Sequence, residues 1–184
     1  MMTKTLWRTL SLLAVLSMLL AACGPEKVGG FEIPDVQSGK FNIAMVLIGP
    51  HDDGGWSQSH YEGLEYIKEN VDNVNVAYIE NVPEGADSEQ IFRSLSRKGF
   101  DVIFGTSFGF MDPMETVANE FPDTTYIHLS GYKSNEKNFG NLMGAMEDMK
   151  YLAGMLAGAR ALQDGNPKLG YMATFPIPEE LRLG

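Results

Sequence analysis

Residues 41–48 (FNIAMVLI) form a short apolar run, partly β-branched, closed by Gly49-Pro50. A run of that length with turn residues after it reads as a strand buried on both faces. His51-Asp52-Asp53-Gly54-Gly55 cannot continue it. From Trp56 onward the pattern changes to helical spacing, with Tyr61, Leu64, Ile67 and Val71 recurring on one side. The stretch Lys40–Glu62 is therefore strand, glycine-containing loop and helix, and the rest of the chain is organised around that unit.

The unit repeats. Residues 73–80 (NVNVAYIE) alternate and are β-branched, which predicts a second strand. After a turn at Asn81–Gly85, Asp87 or Ser88 can cap a helix that runs to Lys98 and stops at Gly99. Residues 101–105 (DVIFG) predict a third strand. A loop of small and aromatic residues follows, Thr106-Ser107-Phe108-Gly109-Phe110-Met111-Asp112-Pro113, with Asp112 as N-cap and Pro113 in the first turn of a helix to Phe121. Residues 124–129 (TTYIHL) predict a fourth strand. Strands alternating with helices imply an α/β fold with a parallel sheet. Beyond it, residues 139–146 are ambiguous between loop and a short extended segment. Residues 147–163 read as a helix with a face of small residues (Ala153, Gly154, Ala157, Gly158, Ala159), residues 168–174 as a strand, and Phe175-Pro176-Ile177-Pro178 as a rigid elbow.

The first 22 residues have the form of an export signal: Lys4 and Arg8 ahead of the apolar run Leu10–Leu20. That run is shorter than the roughly 20 apolar residues a membrane-spanning helix needs. It ends Leu20-Ala21-Ala22-Cys23, which resembles the bacterial lipobox, so Cys23 is expected to be lipidated and to anchor the protein at the extracytoplasmic face of a membrane. Cys23 is the single cysteine, which rules out an internal disulfide. Residues 23–39, with four glycines and two prolines, read as a flexible tether. Removing Lys4 and Arg8 from the totals leaves 12 basic residues against 24 acidic ones. So acidic a chain has no basic face for a nucleic acid and no attraction to anionic lipid beyond an anchor.

In an open α/β sheet, ligands gather beyond the carboxyl ends of the strands. The residues expected there define the candidate ligand site. Trp56 can stack on a heterocycle, and Asp53 can accept hydrogen bonds as an ionised carboxylate. Ser107 can donate, and Phe108 and Phe110 can line the crevice. Each has a structural alternative: Trp56 and the two phenylalanines as packing residues, Asp53 as a helix cap. Asp52, Asp112, His51 and His60 read more readily as solvated, capping or packing residues, and Phe175 at the elbow is a further candidate. The loops contain no Lys or Arg and no GxGxxG spacing, so they suit phosphate poorly. No metal-ligand spacing or cofactor motif is present. An enzyme such as a nucleoside hydrolase would need clustered carboxylates with a metal, or a nucleophile with its base; the sequence offers only the pair Asp52-Asp53.

Several stretches together resemble the basic membrane protein family of bacterial substrate-binding lipoproteins, which includes purine-nucleoside receptors of ABC importers. They are Gly54-Gly55-Trp56-Ser57-Gln58-Ser59-His60 with Glu62-Gly63; Gly105 through Pro113; Tyr151-Leu152-Ala153-Gly154; and Leu169-Gly170-Tyr171 through Phe175-Pro176-Ile177-Pro178-Glu179. The resemblance runs from Phe41 to the end. Much of the family has Phe and Asn in place of Trp56 and Ser57, and the GGW form looks like the branch associated with purine bases or related compounds. The resemblance implies a type I periplasmic-binding-protein fold, two α/β lobes about a hinge with the ligand between them, and an ABC permease as partner. On that pattern residues 40–140 are a complete first lobe, and residues 141–184 only begin the second, so that the chain reads as truncated. Because one helix and one strand cannot bury their own faces, residues 141–184 are expected to pack on the first lobe or be poorly ordered. A sensory or surface lipoprotein that has lost uptake, or a non-transporting fragment, is the alternative function. The lipobox carries its own test: Cys23→Ala should move the protein from the membrane to the soluble fraction on fractionation, and unchanged membrane retention would count against lipidation.

Overall fold

The computed structural model describes residues 26–183; the signal and Cys23 lie outside the described residues. A short antiparallel hairpin, β1 (Lys27–Val28) and β2 (Phe31–Glu32), precedes the main sheet. The chain enters that sheet at β3 (Phe41–Val46) and lays β4 (Val74–Ile79) on one side of it. It then crosses to the other side with β5 (Val102–Gly105), β6 (Thr125–Leu129) and β7 (Phe139–Leu142). The order is β4-β3-β5-β6-β7, and every pairing is parallel. The strand order therefore reverses between β3 and β5.

Helices cover both faces, which is why β3 is buried along nearly its whole length. On one face, helix α1 (Trp56–Asn70) sets Leu64 against Ile43, Met45 and Leu47, with Tyr61 and Ile67 at the margin. On the other, α2 (Ala86–Lys98) and α3 (Met111–Glu120) bury Ile91, Phe92, Leu95, Met114 and Val117 against Ala44, Val46 and Ile103. The alternation along β3, with Ile43 and Met45 to one face and Ala44 and Val46 to the other, is the period-2 signature of a strand between two layers.

Gly99 ends α2 as expected. It sits in the left-handed region (φ 94°), its N–H meets the carbonyls of Leu95 and Ser96, and buried Phe100 bonds back to Leu95. This is the Schellman arrangement, open to glycine because no Cβ is present to clash. Asp87 and Glu89 in the first turn and Arg97 and Lys98 in the last complement the helix dipole.

Several expectations are corrected or narrowed. First, α2 is capped by neither Asp87 nor Ser88: its N-cap is Gly85, and the Ser88 hydroxyl donates to the Gly85 carbonyl at 2.8 Å. Likewise Asp112 lies inside the first turn of α3, whose N-cap is Phe110, and pairs with Lys133 at 3.0 Å. Second, residues 27–37, expected to be tether, are packed. Ile33 is buried with the core of the α2 and α3 face, and Val28, Phe31 and Val36 lie against that cluster. Lys98 pairs with Asp35 at 2.6 Å, and the Asn42 side chain accepts from the Gln37 N–H at 2.7 Å. Apolar residues among the glycines anchor this segment. Third, the sheet continues to Leu142, so of the two readings of residues 139–146 the extended one holds for residues 139–142, its edge strand. Fourth, residues 168–174 form no strand; among the described residues no other strand pairs with them, and an extended segment without a ladder leaves its backbone groups to water.

Beyond the sheet, α4 (Met146–Gln163) buries none of its residues, and Met149, Tyr151, Leu152, Met155 and Leu156 are exposed. Its tie to the rest runs through α5 (Pro178–Leu183), where Arg182 bonds Glu147 at 2.8 Å. Glu179, also on α5, is buried and accepts from the Ser130 hydroxyl at the end of β6. No helix among the described residues is long and apolar enough to cross a membrane.

If the N-terminal hairpin is part of the core, Ile33→Ala should cost about 2–4 kcal/mol of unfolding free energy, the usual range for emptying a buried aliphatic site. Denaturant unfolding measures this, and a change within about 0.5 kcal/mol, typical of surface sites, would return the segment to a tether.

Candidate functional site

The reversal of strand order leaves a crevice beyond the carboxyl ends of β3 and β5, the position where open α/β sheets take ligands. Two loops form its walls. The first, residues 47–55, leaves β3 and feeds α1. Gly49 donates its N–H to the Ser57 hydroxyl at 3.1 Å, and a Cβ there would crowd that hydroxyl at 3.0 Å. The second, residues 106–110, leaves β5 through a single 3-10 turn (Phe108–Phe110) into α3. Thr106 is buried at its base, and its N–H and hydroxyl both donate to the Val46 carbonyl, at 3.1 and 3.0 Å.

Trp56 joins the two walls. It is the first residue of α1, and its indole N–H donates to the Thr106 carbonyl at 2.6 Å. The residue remains 39% exposed. His60, one turn on, stands 4.5 Å from it, with its Nδ1 2.7 Å from the Trp56 carbonyl. That carbonyl can only accept, so Nδ1 carries the proton.

Asp53, expected as a ligand acceptor, has its carboxylate turned onto the start of α1. One oxygen accepts from the Gly55 and Gln58 N–H groups at 2.8 and 3.0 Å, and the other from the Ser57 N–H at 2.9 Å. These backbone bonds hold its pKa below the ordinary carboxylate value. It keeps α1 and Trp56 in place.

Ser107 and Phe108 lie partly buried in the second wall. The Phe108 ring faces the exposed Tyr132 at a centroid distance of 6.4 Å. Phe110 is fully buried and packs edge-on against Phe92 at 5.6 Å, so it belongs to the core under the loop and does not line the crevice. Phe175 is exposed in the segment before α5. The described structure thus brings Trp56, Ser107 and Phe108 together on adjoining walls.

Two residues not anticipated from sequence support the second wall. His128 on β6 is buried, and its two ring nitrogens face oxygens, Nε2 2.7 Å from the Ser107 carbonyl and Nδ1 3.0 Å from the Asn141 Oδ1. Burial pushes its pKa down, which favours the neutral ring. Glu84, in the turn after β4, accepts from the Ser107 hydroxyl at 2.5 Å and the Gly109 N–H at 2.9 Å. Neither has a local signature: the first reads as an apolar strand's odd polar residue, the second as a turn residue.

The electrostatic character of the crevice is acidic. Asp52 and Asp53 belong to its first loop, Glu80 and Glu84, which follow β4, bond to the first and second loops, and neither wall holds a Lys or Arg. Lys133, in the next connection, is paired with Asp112 and Glu115 at 3.0 and 2.7 Å. The one cationisable group in the walls, His51, bonds Glu80 at 2.8 Å and packs against Tyr61 and Tyr78. The arrangement suits a neutral, planar ligand rich in hydrogen-bond donors.

The comparisons agree with this architecture. Residues 40–178 match the Bmp family model, described as ABC transporter substrate-binding protein PnrA-like. A Haloferax volcanii protein, TsgA13, named for glucose binding in an ABC transporter, is 40% identical over 141 residues, covering 77% of this chain and 35% of its own length. A purine-binding protein of Brucella abortus is 36% identical over 141 residues, covering 76% of this chain and 39% of its own. This chain therefore spans less than half the length of either relative. Among solved structures, an ABC transporter solute-binding protein from Aeropyrum pernix K1 superposes with a TM-score of 0.65 at 22% identity, over 78% of this chain and 40% of that one, which supports the fold.

The His51–Glu80 pair predicts a pH dependence. The hydrogen bond to Glu80 raises the His51 pKa above its ordinary 6.5. A group whose folded pKa is raised stabilises the fold fully below its unfolded value and loses that contribution as pH rises through the folded value. Melting temperature should therefore fall more between pH 6 and pH 8, values bracketing the ordinary histidine range, in the wild type than in Glu80→Gln. Equal falls would show that the pair does not contribute.

Proposed function

The chain belongs to the Bmp family of PnrA-like ABC transporter substrate-binding proteins, and from that membership we propose that it is the solute-capturing part of an importer's receptor. It takes a purine base, nucleoside or similar flat polar molecule at the crevice between β3 and β5. The observation that carries the reading is Trp56, a partly exposed residue whose indole N–H is hydrogen-bonded to the opposite wall. A ring held in this way offers a stacking platform without further ordering. Base–aromatic stacking contributes about 1–3 kcal/mol per base.

In this reading Trp56 stacks, Phe108 lines the wall and Ser107 contributes polar contacts, while Asp53 acts through the helix start it caps. Capture involves no bond-making step; a second wall closes over the ligand by hinge motion, and the loaded protein presents it to a permease. A lipid on Cys23 would keep the receptor at the extracytoplasmic face of its membrane.

A sugar is the second reading, favoured by the relative named for glucose binding. An indole face and carboxylates also suit the apolar face and hydroxyl donors of a pyranose.

Trp56 is the one tryptophan beyond residue 22, so its fluorescence reports directly on the site. Titration with adenine, inosine and glucose, backed by calorimetry, should show saturable binding of a purine, weakened about 10- to 100-fold by Trp56→Ala. Binding of glucose alone would select the sugar reading; no response to any of the three would reject capture at this crevice.

A further inference from the structure

We propose that Glu84 is the specificity-determining acceptor of the crevice, selecting ligands that carry an N–H or O–H donor beside the face stacked on Trp56; the proposal rests on the capture reading above. Glu84 is exposed in the turn between β4 and α2. Its Oε1 accepts both the Ser107 hydroxyl at 2.5 Å and the Gly109 N–H at 2.9 Å, residues 23 and 25 positions away. Its Oε2 has no hydrogen-bond partner among the described residues. An ionised carboxylate is acceptor-only, so Oε2 offers lone pairs to solvent or to a ligand donor.

The surroundings fix that oxygen in place. A Cβ on Gly109 would lie 2.2 Å from the Glu84 carboxyl carbon, so the glycine lets the carboxylate lie across the loop. Ser107, which holds Glu84 by its hydroxyl, is itself held through its carbonyl by buried His128. The neighbouring Thr106 carbonyl holds the Trp56 indole. A stacking ring and a fixed acceptor are thus hydrogen-bonded to consecutive residues of one loop, one reaching it from the β3 side and the other from the β4 side.

The other carboxylates of the crevice differ in what they are bonded to. Asp53 is turned onto the start of α1, Glu80 accepts through Oε2 from both the backbone and the ring of His51, and Asp112 pairs with Lys133. Asp52 has no hydrogen bond among the described residues that would position it. Glu84 is the carboxylate anchored on the loop that also holds the Trp56 indole.

Glu84→Gln separates selection from structure. The amide oxygen can still accept from Ser107 and Gly109, while the atom replacing Oε2 becomes a donor. The protein and this variant are titrated with adenine, inosine and glucose by Trp56 fluorescence and calorimetry, and melted without ligand. The expected result is that the melting temperature is unchanged and affinity for whichever probe the wild type binds falls by about 10-fold or more, as for a lost hydrogen bond to a charged group. Wild-type binding with full affinity retained in Glu84→Gln overturns the assignment and leaves capture standing. Lower affinity accompanied by a lower melting temperature makes Glu84 a structural clamp and also overturns it. If the wild type binds none of the three probes, capture and the assignment fall together.

Discussion

The hydrogen bond from the Trp56 indole to the Thr106 carbonyl spans the point where the strand order turns back on itself. A parallel sheet leaves its carboxyl ends open wherever successive connections depart in opposite directions. Here β3 sends its connection toward β4, while β5 leads on to β6. The crevice between them would be a solvent-filled gap if nothing bridged it. Trp56 bridges it with one polar atom and keeps a ring face for other uses. The Asp53 cap that orients the helix start, the Thr106 bonds to Val46 beneath, and the glycine that lets Ser57 close on the loop all serve to hold that bridge.

A second layer of support runs through Ser107. Its carbonyl is hydrogen-bonded to buried His128 and its hydroxyl donates to Glu84, so the second wall is tied to β6 below and to the β4 turn at its side. Burial disfavours the charged form of His128. With Lys133 neutralised by two carboxylates, the field at the mouth is set by acidic groups. Such a field repels anions and favours neutral or positively charged solutes, which is consistent with the absence of phosphate-binding features in the loops.

Residues 146–163 present the opposite situation. The small residues of α4 read as a packing face, yet its apolar side chains lie exposed and its attachment is polar, through Arg182 and the Ser130–Glu179 contact. Its apolar side chains meet no burying neighbour among the described residues. Residues 168–174 show the same thing in β form, since a strand exists only with a partner to receive its hydrogen bonds.

The element order from β3 to β6, the parallel sheet and the stop at Gly99 were legible in the chain because each depends on a local rule: a period of two or of 3.6, or a left-handed residue that glycine tolerates best. So was the position of Trp56 at the end of the first strand. The turn of Asp53 onto the helix start rests on neighbours two to five residues away and was one of the two readings its sequence allowed; tertiary structure alone decided that Phe110 belongs to the core, that Ile33 and its hairpin are packed, and that Glu84 and His128 serve the second wall. Those outcomes hang on partners 20 to 60 residues away in several cases, as in Ser107 with Glu84 or Lys98 with Asp35 at separations of 23 and 63. Periodicity tells which face of an element is apolar; it carries no information about which distant polar atom a carboxylate or an imidazole will meet once the strands have been laid side by side.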